Sequence, residues 1–253
     1  MRLRQQPQLS ANALADLLVH GLSRFDTIVH DAKYMQSYVV SRYADAEKEI
    51  CDYLARLDRT SRHLQPAFRR LTAKVAEATT DAQRDRARDN VAVFEKFAEM
   101  EANLGFSGLA FHHPPKTAPL SIEGVLVTVD PNLLIHPLDI SGETRVGGII
   151  LRLSKGVDPD AAKRKATKDE RADRIREMAR YTACLLAMQL ETSFSHLGSV
   201  SPEHCIAVNA RLKEVETLGS DRRSRFAEIR KTCRHVARNW NLIEPRPGIR
   251  LSA

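Results

Sequence analysis

Apolar residues recur at helical spacing through three stretches of the first half of the chain. Across Met35–Leu57, Ala46, Ile50, Tyr53, Leu54 and Leu57 share a stripe while Glu47, Lys48, Glu49 and Asp52 take other faces, which predicts an amphipathic helix. Leu64, Phe68, Leu71 and Val75 predict a second helix over 63–78. A third is expected over 81–104 on Val91, Phe94, Phe97 and Leu104, with Gly105 as its stop. Ala11–Leu22 carries a shorter helical pattern that Gly21 and Ser23 interrupt. Short linkers predict antiparallel neighbours, and the mixed-sign run 83–89 reads as a solvated face.

Past a connector at Phe106–Pro119, irregular by virtue of Pro114-Pro115, the pattern changes to β-branched runs. Ile122–Val129, Leu133–Ile135 and Val146–Leu153 read as strands, with a turn at Asp139–Thr144. Gly147-Gly148 reads as a bend or bulge, since no helix starts there and no Lys-Ser/Thr follows to make a phosphate cradle. A long helix is expected over 168–191 on Ala172, Ile175, Ala179 and Leu186, then short strands at His204–Val208 and Val215–Leu218. The closing helix starts at Ser220-Asp221 and buries Phe226, Ile229, Cys233, Val236 and Trp240. This order predicts an α/β layered protein: a mainly helical region 1–105 whose helix 35–57 packs on the core, a connector 106–119, an α/β core 120–244 and a loose tail 245–253.

At 253 residues the chain can bury a full core, and its 43% hydrophobic and 28% charged content is that of an ordinary globular protein. Aromatics at 6% argue against a base-stacking platform. The net charge of +7 suits a polyanionic partner. Cys51, Cys184, Cys205 and Cys233 lie scattered, which predicts buried reduced thiols and argues against a zinc site. No apolar run approaches a membrane span, and Asn12, Asp16 and His20 break the leader-like start, so a cytoplasmic location is expected. Ser195-His196 and Ser199 lack a nucleophile elbow. His112-His113, and His136 near Asp139, lack a third ligand, and no cofactor motif is present.

Strand order and polar residues around Asp130–Lys155 resemble the PD-(D/E)XK nuclease-like superfamily, whose core runs helix, three-stranded meander, helix, strand. The chain is also similar to a group of bacterial and phage proteins of this layout. They share an RYxDAxxxIxxxL helix (here Arg42 through Leu54), a VxPxLL strand pair and a C-terminal helix ending in Trp, here Trp240. The resemblance implies a restriction-endonuclease-like core with an N-terminal helical extension, and nucleic-acid handling of the phage, mobile-element or defence kind. It implies Mg²⁺-dependent phosphodiester cleavage where the site is intact: hard oxygen ligands hold the metal, which stabilises charge on the phosphate.

Carried over by residue, the resemblance puts Asn132 where a metal-binding Asp is expected, and Asp130 can shift into that role from the same side of a strand. Ile150-Leu151-Arg152 stands where acid-x-Lys is expected. A permanently charged arginine can clamp phosphate but is a poor base. The implied catalytic set is Asp130, Arg152 and Lys155; the implied metal set is Glu47 or Glu49, Asp130 and Asn132. Two reaches of positive charge, Arg171 and Arg174 in one helix and Arg222, Arg223, Arg230 and Arg234 in the last, are the expected phosphate contacts. A non-catalytic subunit that binds a protein or nucleic-acid partner, or itself, stands beside the nuclease reading; Asp130-Pro131-Asn132 is also an ordinary turn signal.

Overall fold

The structure is a computed structural model that describes residues 2–35, 41–153, 162–210 and 212–246. Its centre is a five-stranded mixed sheet in which Glu214–Glu216, Ser199–Asn209, Glu143–Arg152, Leu133–Ile140 and Phe111–His112 lie side by side in that order. In chain order these are β4 (Phe111–His112), β7 (Leu133–Ile140), β8 (Glu143–Arg152), β9 (Ser199–Asn209) and β10 (Glu214–Glu216). β4, β7 and β8 are successively antiparallel, β9 lies parallel to β8, and β10 returns antiparallel. A parallel pair needs a crossover, which is supplied by the 29-residue helix α6 (Lys165–Ser193).

Side chains on β7, β8 and β9 alternate between two cores. Leu133, Ile135, Ile149, Leu151, Ile206 and Val208 face the helices α3 (Ala44–Leu54), α4 (Leu64–Glu77) and α5 (Asp81–Glu101). Leu134, Val146, Ile150 and Cys205 face α1 (Ala11–His20), α6 and α7 (Arg222–Asn239). The C-terminal half of α6 is buried without interruption from Tyr181 to Ala187, as befits a helix enclosed on all sides.

The stretch Ile122–Val129, expected to lead into the central meander, instead belongs to a separate three-stranded sheet. There β6 (Val125–Thr128) pairs antiparallel with β5 (Leu120–Ile122) and parallel with β2 (Gln8–Ser10). Both hairpins close on two-residue turns with positive φ, Glu123-Gly124 at 49° and 83° and Ser141-Gly142 at 55° and 77°. That is the sign the primed hairpin turns require.

Residues before 105 divide between the two faces. α1 is capped by Ser10, whose hydroxyl accepts from the Ala13 amide, and packs on α6. A further helix, α2 (Phe25–Lys33), was not foreseen because its apolar stripe is short. It leads into β3 (Tyr34–Met35), which pairs with β1 (Arg2–Leu3). The Lys33 ammonium donates to the carbonyls of Trp240 and Ile243 at 2.9 and 2.7 Å, and His30 Nε2 accepts from the Arg246 amide. A cation at a helix C-terminus is well placed against the helix dipole. The start of the expected loose tail is therefore tied down, and 247–253 lie outside the described residues.

Of the predicted helix over 35–57, residues 36–40 lie outside the described residues and the described part is helical over α3; the other predicted helices fall within a few residues of expectation. The FHHPPK connector contributes an edge strand after all. Phe111 is buried against Phe106, with ring centroids 5.5 Å apart, before the prolines end the pairing. Gly147-Gly148 is a bulge: the β8–β9 register shifts between Val146 and Gly148. A Cβ on Gly147 would lie 2.5 Å from His204 Cβ and 2.6 Å from the His204 carbonyl oxygen.

A junction of Glu47, Asp130 and Asn132 as candidate functional site

α3 presents Glu47 and Glu49 on different faces, because two helical steps turn a side chain by roughly 200°. Glu49 is buried and points to α4, where Arg70 grips both its oxygens at 2.8 and 2.5 Å. Glu47 points to the segment between β6 and β7 and accepts from Asn132 Nδ2 at 2.7 Å.

Asn132 is held on three sides. Its amide N–H donates to the Ile149 carbonyl at 2.8 Å, and its Oδ1 accepts from the Leu151 N–H at 2.7 Å. That donor fixes the orientation of the side-chain amide, so Nδ2 must be the group that faces Glu47. Asn132 thus joins β7, β8 and α3. Thr128 ends β6 and Leu133 begins β7, so residues 129–132 lie between strands, yet burial still alternates there: Val129, Pro131 and Leu133 are buried, Asp130 is exposed and Asn132 half-buried.

Asp130 is exposed and close enough to act on Glu47. Burial pushes the Glu47 carboxyl above the usual carboxylate range; the hydrogen bond from Asn132 opposes this, and the Asp130 charge adds to it. On the sheet face towards Glu47 the β8 side chains are Ile149 and Leu151, with buried Leu153 just beyond the strand. Where an acid and a lysine would complete a metal centre, this face offers apolar carbon.

Arg152 lies on the other face. It is 5% exposed, and Nη1 donates to Asn12 Oδ1 on α1 at 2.8 Å and to Thr182 Oγ1 on α6 at 2.5 Å. Burial pulls its pKa down to about 10, with Asp16 opposing the shift, so it stays charged at neutral pH. Lys155 lies outside the described residues. Leu133 pairs with Ile149, and from there β8 alternates, so Ile149 and Leu151 take the face towards Glu47 while Ile150 and Arg152 take the other.

Among the described residues, no three His, Cys, Asp or Glu side chains gather to hold a metal ion. Glu47 and Asp130 are the carboxylates at the junction, and the Asn132 oxygen is already committed to Leu151. His136 Nε2 meets the Leu197 carbonyl at 3.0 Å, so that nitrogen donates there and does not coordinate. All four cysteines are free and buried, and burial pushes the Cys51, Cys184 and Cys233 thiols up to about 12.

The basic helices separate into paired and unpaired charge. Arg176 and Arg180 bind Glu214 and Glu216 on β10, and the buried Arg225 binds Glu177 and Asp221 at 2.8 Å. Arg174 is exposed and paired with Glu170; Arg171 is half-buried in the wall of the cleft that contains Arg152. On α7, Arg234 pairs with Glu123 at 3.1 Å. Arg222, Arg223, Arg230, Lys231 and Arg238 are exposed, and among the described residues none forms an ion pair. The one acid inside α7, Glu228, accepts from the Tyr181 hydroxyl.

No protein-family model and no curated protein sequence matches the chain. The fold defines it as a mixed α/β protein in which a mixed sheet lies between two helical layers. No helix among the described residues is long and apolar enough to cross a membrane.

Proposed function

We propose that this chain holds nucleic acid without cutting it, on a core of the PD-(D/E)XK type whose metal centre has lost its ligands. The observation that carries the reading is the set of exposed cations on α7 that form no ion pair among the described residues: Arg222, Arg223, Arg230, Lys231 and Arg238. Such a set recognises phosphates without reading sequence. The order α3, then β4, β7 and β8 as a meander, then α6 and β9 supports the kinship, as does the place of Pro131-Asn132 at the entry to β7. Apolar Ile149 and Leu151 on the face towards Glu47, and the committed Asn132 amide, support loss of cleavage.

A second reading, metal-dependent cleavage, is favoured by one observation, the approach of Asp130 to Glu47. Those two carboxylates would hold Mg²⁺, which would supply charge stabilisation at a phosphate.

One set of experiments tests both. Fluorescence anisotropy on duplex DNA, single-stranded DNA and RNA is run across a salt series with the native chain and Arg223→Glu/Arg230→Glu. Native binding should weaken with salt, and each lost phosphate contact should reduce the log–log slope by about 1. Binding unchanged by the double substitution refutes the α7 assignment; no binding at low salt refutes nucleic acid as partner and leaves a protein partner or self-association. Cutting with Mg²⁺ or Mn²⁺ that Glu47→Ala and Asp130→Ala both abolish would replace the holding reading with an active nuclease.

A further inference from the structure

Between α1 and α6, on the sheet face away from Glu47, lies a cleft of about 550 Å³ with Arg152 in its lining. That volume falls within the roughly 300–1,000 Å³ typical of small-molecule sites. Among the described residues its charged lining is Arg24, Arg152, Arg171 and Arg174 with the carboxylate Asp16, and Arg174 also pairs with Glu170. Asp16 is already engaged, by Arg24 at 2.8 Å and by His20 at 3.2 Å.

Arg152 sets this cleft apart from a surface patch. A buried guanidinium is costly unless a negative charge compensates it. Among the described residues Arg152 makes no ion pair; its hydrogen bonds run to the neutral oxygens of Asn12 and Thr182. Those two bonds come from helices on either side of the cleft and hold the planar fork in place. A fixed, permanently charged fork in a cationic cleft is suited to a phosphate, which it can bind bidentately. Beside the cations, Ile175 and Met178 of α6 give the cleft an apolar wall. Charge at one place and apolar surface at another call for a ligand with both.

We propose that the cleft between α1 and α6 binds a small phosphorylated ligand of the mononucleotide class, its phosphate on Arg152 and Arg174 and its base along Ile175 and Met178. Asn12 and Thr182 are positioning residues that aim Arg152. The site is independent of the α7 row and of the Glu47 junction, so either proposal can fail without the other.

The test is calorimetric and thermal-shift titration of the full chain with a nucleoside 5′-monophosphate, the same nucleoside, inorganic phosphate, and a short oligonucleotide with and without a 5′-phosphate. The monophosphate should saturate one site and stabilise the fold by mass action, while the nucleoside should bind roughly tenfold more weakly or worse. Arg174→Ala, at an exposed position whose loss leaves the core intact, should weaken the monophosphate by roughly tenfold. Arg152→Gln should abolish binding; if that variant fails to fold by circular dichroism, Ala13→Trp, which fills the cleft from the half-buried face of α1, takes its place. Arg223→Glu/Arg230→Glu on α7 should bind the monophosphate as the native chain does. Equal response to nucleoside and monophosphate, no saturable binding, or native affinity in Arg174→Ala and the cleft variant overturns the proposal. Tight binding of the 5′-phosphorylated oligonucleotide with none of the monophosphate overturns the mononucleotide assignment and gives the cleft to a nucleic-acid end.

Discussion

Replacing Asn132 tests whether Pro131-Asn132 works as a structural junction. Asn132→Ala removes the acceptor for the Leu151 N–H and the donor to Glu47. A neutral hydrogen bond contributes about 1 kcal/mol and one to a charged group about 1.5–3 kcal/mol, so the expected loss is roughly 2.5–4 kcal/mol. In a chain of this size that lowers the melting temperature by about 5–15 °C. Asn132→Asp keeps an acceptor for Leu151 but sets a second carboxylate against Glu47, whose carboxyl burial already raises.

A carboxyl with a raised folded pKa contributes stability that is full below its unfolded value, 4.5 for Glu47, and is lost as pH rises through the folded value. The deficit of Asn132→Asp should therefore be large at pH 7 and shrink on acidification towards pH 4.5, while that of Asn132→Ala should change less. Adding Glu47→Gln should recover much of the Asn132→Asp loss at pH 7, a coupling that a double-mutant cycle reads directly. Urea and thermal melts by circular dichroism across pH provide the assay. An Asn132→Ala variant within about 0.5 kcal/mol of native, or an Asn132→Asp deficit independent of pH, would refute the reasoning.

Other positions give shorter tests. Gly147→Ala should destabilise by roughly 2–3 kcal/mol in chemical denaturation, because the new Cβ meets the His204 backbone, which cannot swing aside. Arg59 donates to the carbonyls of Leu54, Phe106 and Leu109 at 2.7–3.0 Å and lies over the Phe111 ring. Arg59→Ala should cost roughly 2 kcal/mol or more, and Arg59→Lys should not restore it, since an ammonium lacks the planar fork. Hydrogen bonds from Arg225 hold the Glu177 and Asp221 carboxyls below their usual range. Their stabilisation is present above ordinary carboxylate pKa values and lost as pH falls through the lowered ones, so Arg225→Met should flatten the acid side of the stability profile.

Much of the fold was legible because it is written in local periodicity. The stripe of Ala46, Ile50, Tyr53 and Leu54 made α3 readable, and the β-branched runs at 125–128 and 146–152 made strands readable. Pairing was less visible. Nothing local reveals that Gln8–Ser10 completes a sheet with β6, or that α2 anchors residues 240–246 through Lys33 and His30, since these contacts span more than 100 residues of chain. Glu47 meets Asn132 through a hydrogen bond, whereas Glu49 turns to Arg70 because helical geometry separates positions two apart.

The sequence by itself determined every helix but α2, the strands β6 to β10, the turn at Asp139–Thr144 and the positive surplus that the last helix carries, because each depends on residue type and short-range spacing. Only the tertiary structure decided which face each polar side chain takes. Leu133 pairs with Ile149, so Arg152 alternates to the face beneath α1 while Glu47 and Asn132 meet beneath α3. A two-residue repeat makes the choice of face depend on a single step of register, and that step is fixed by packing between distant segments.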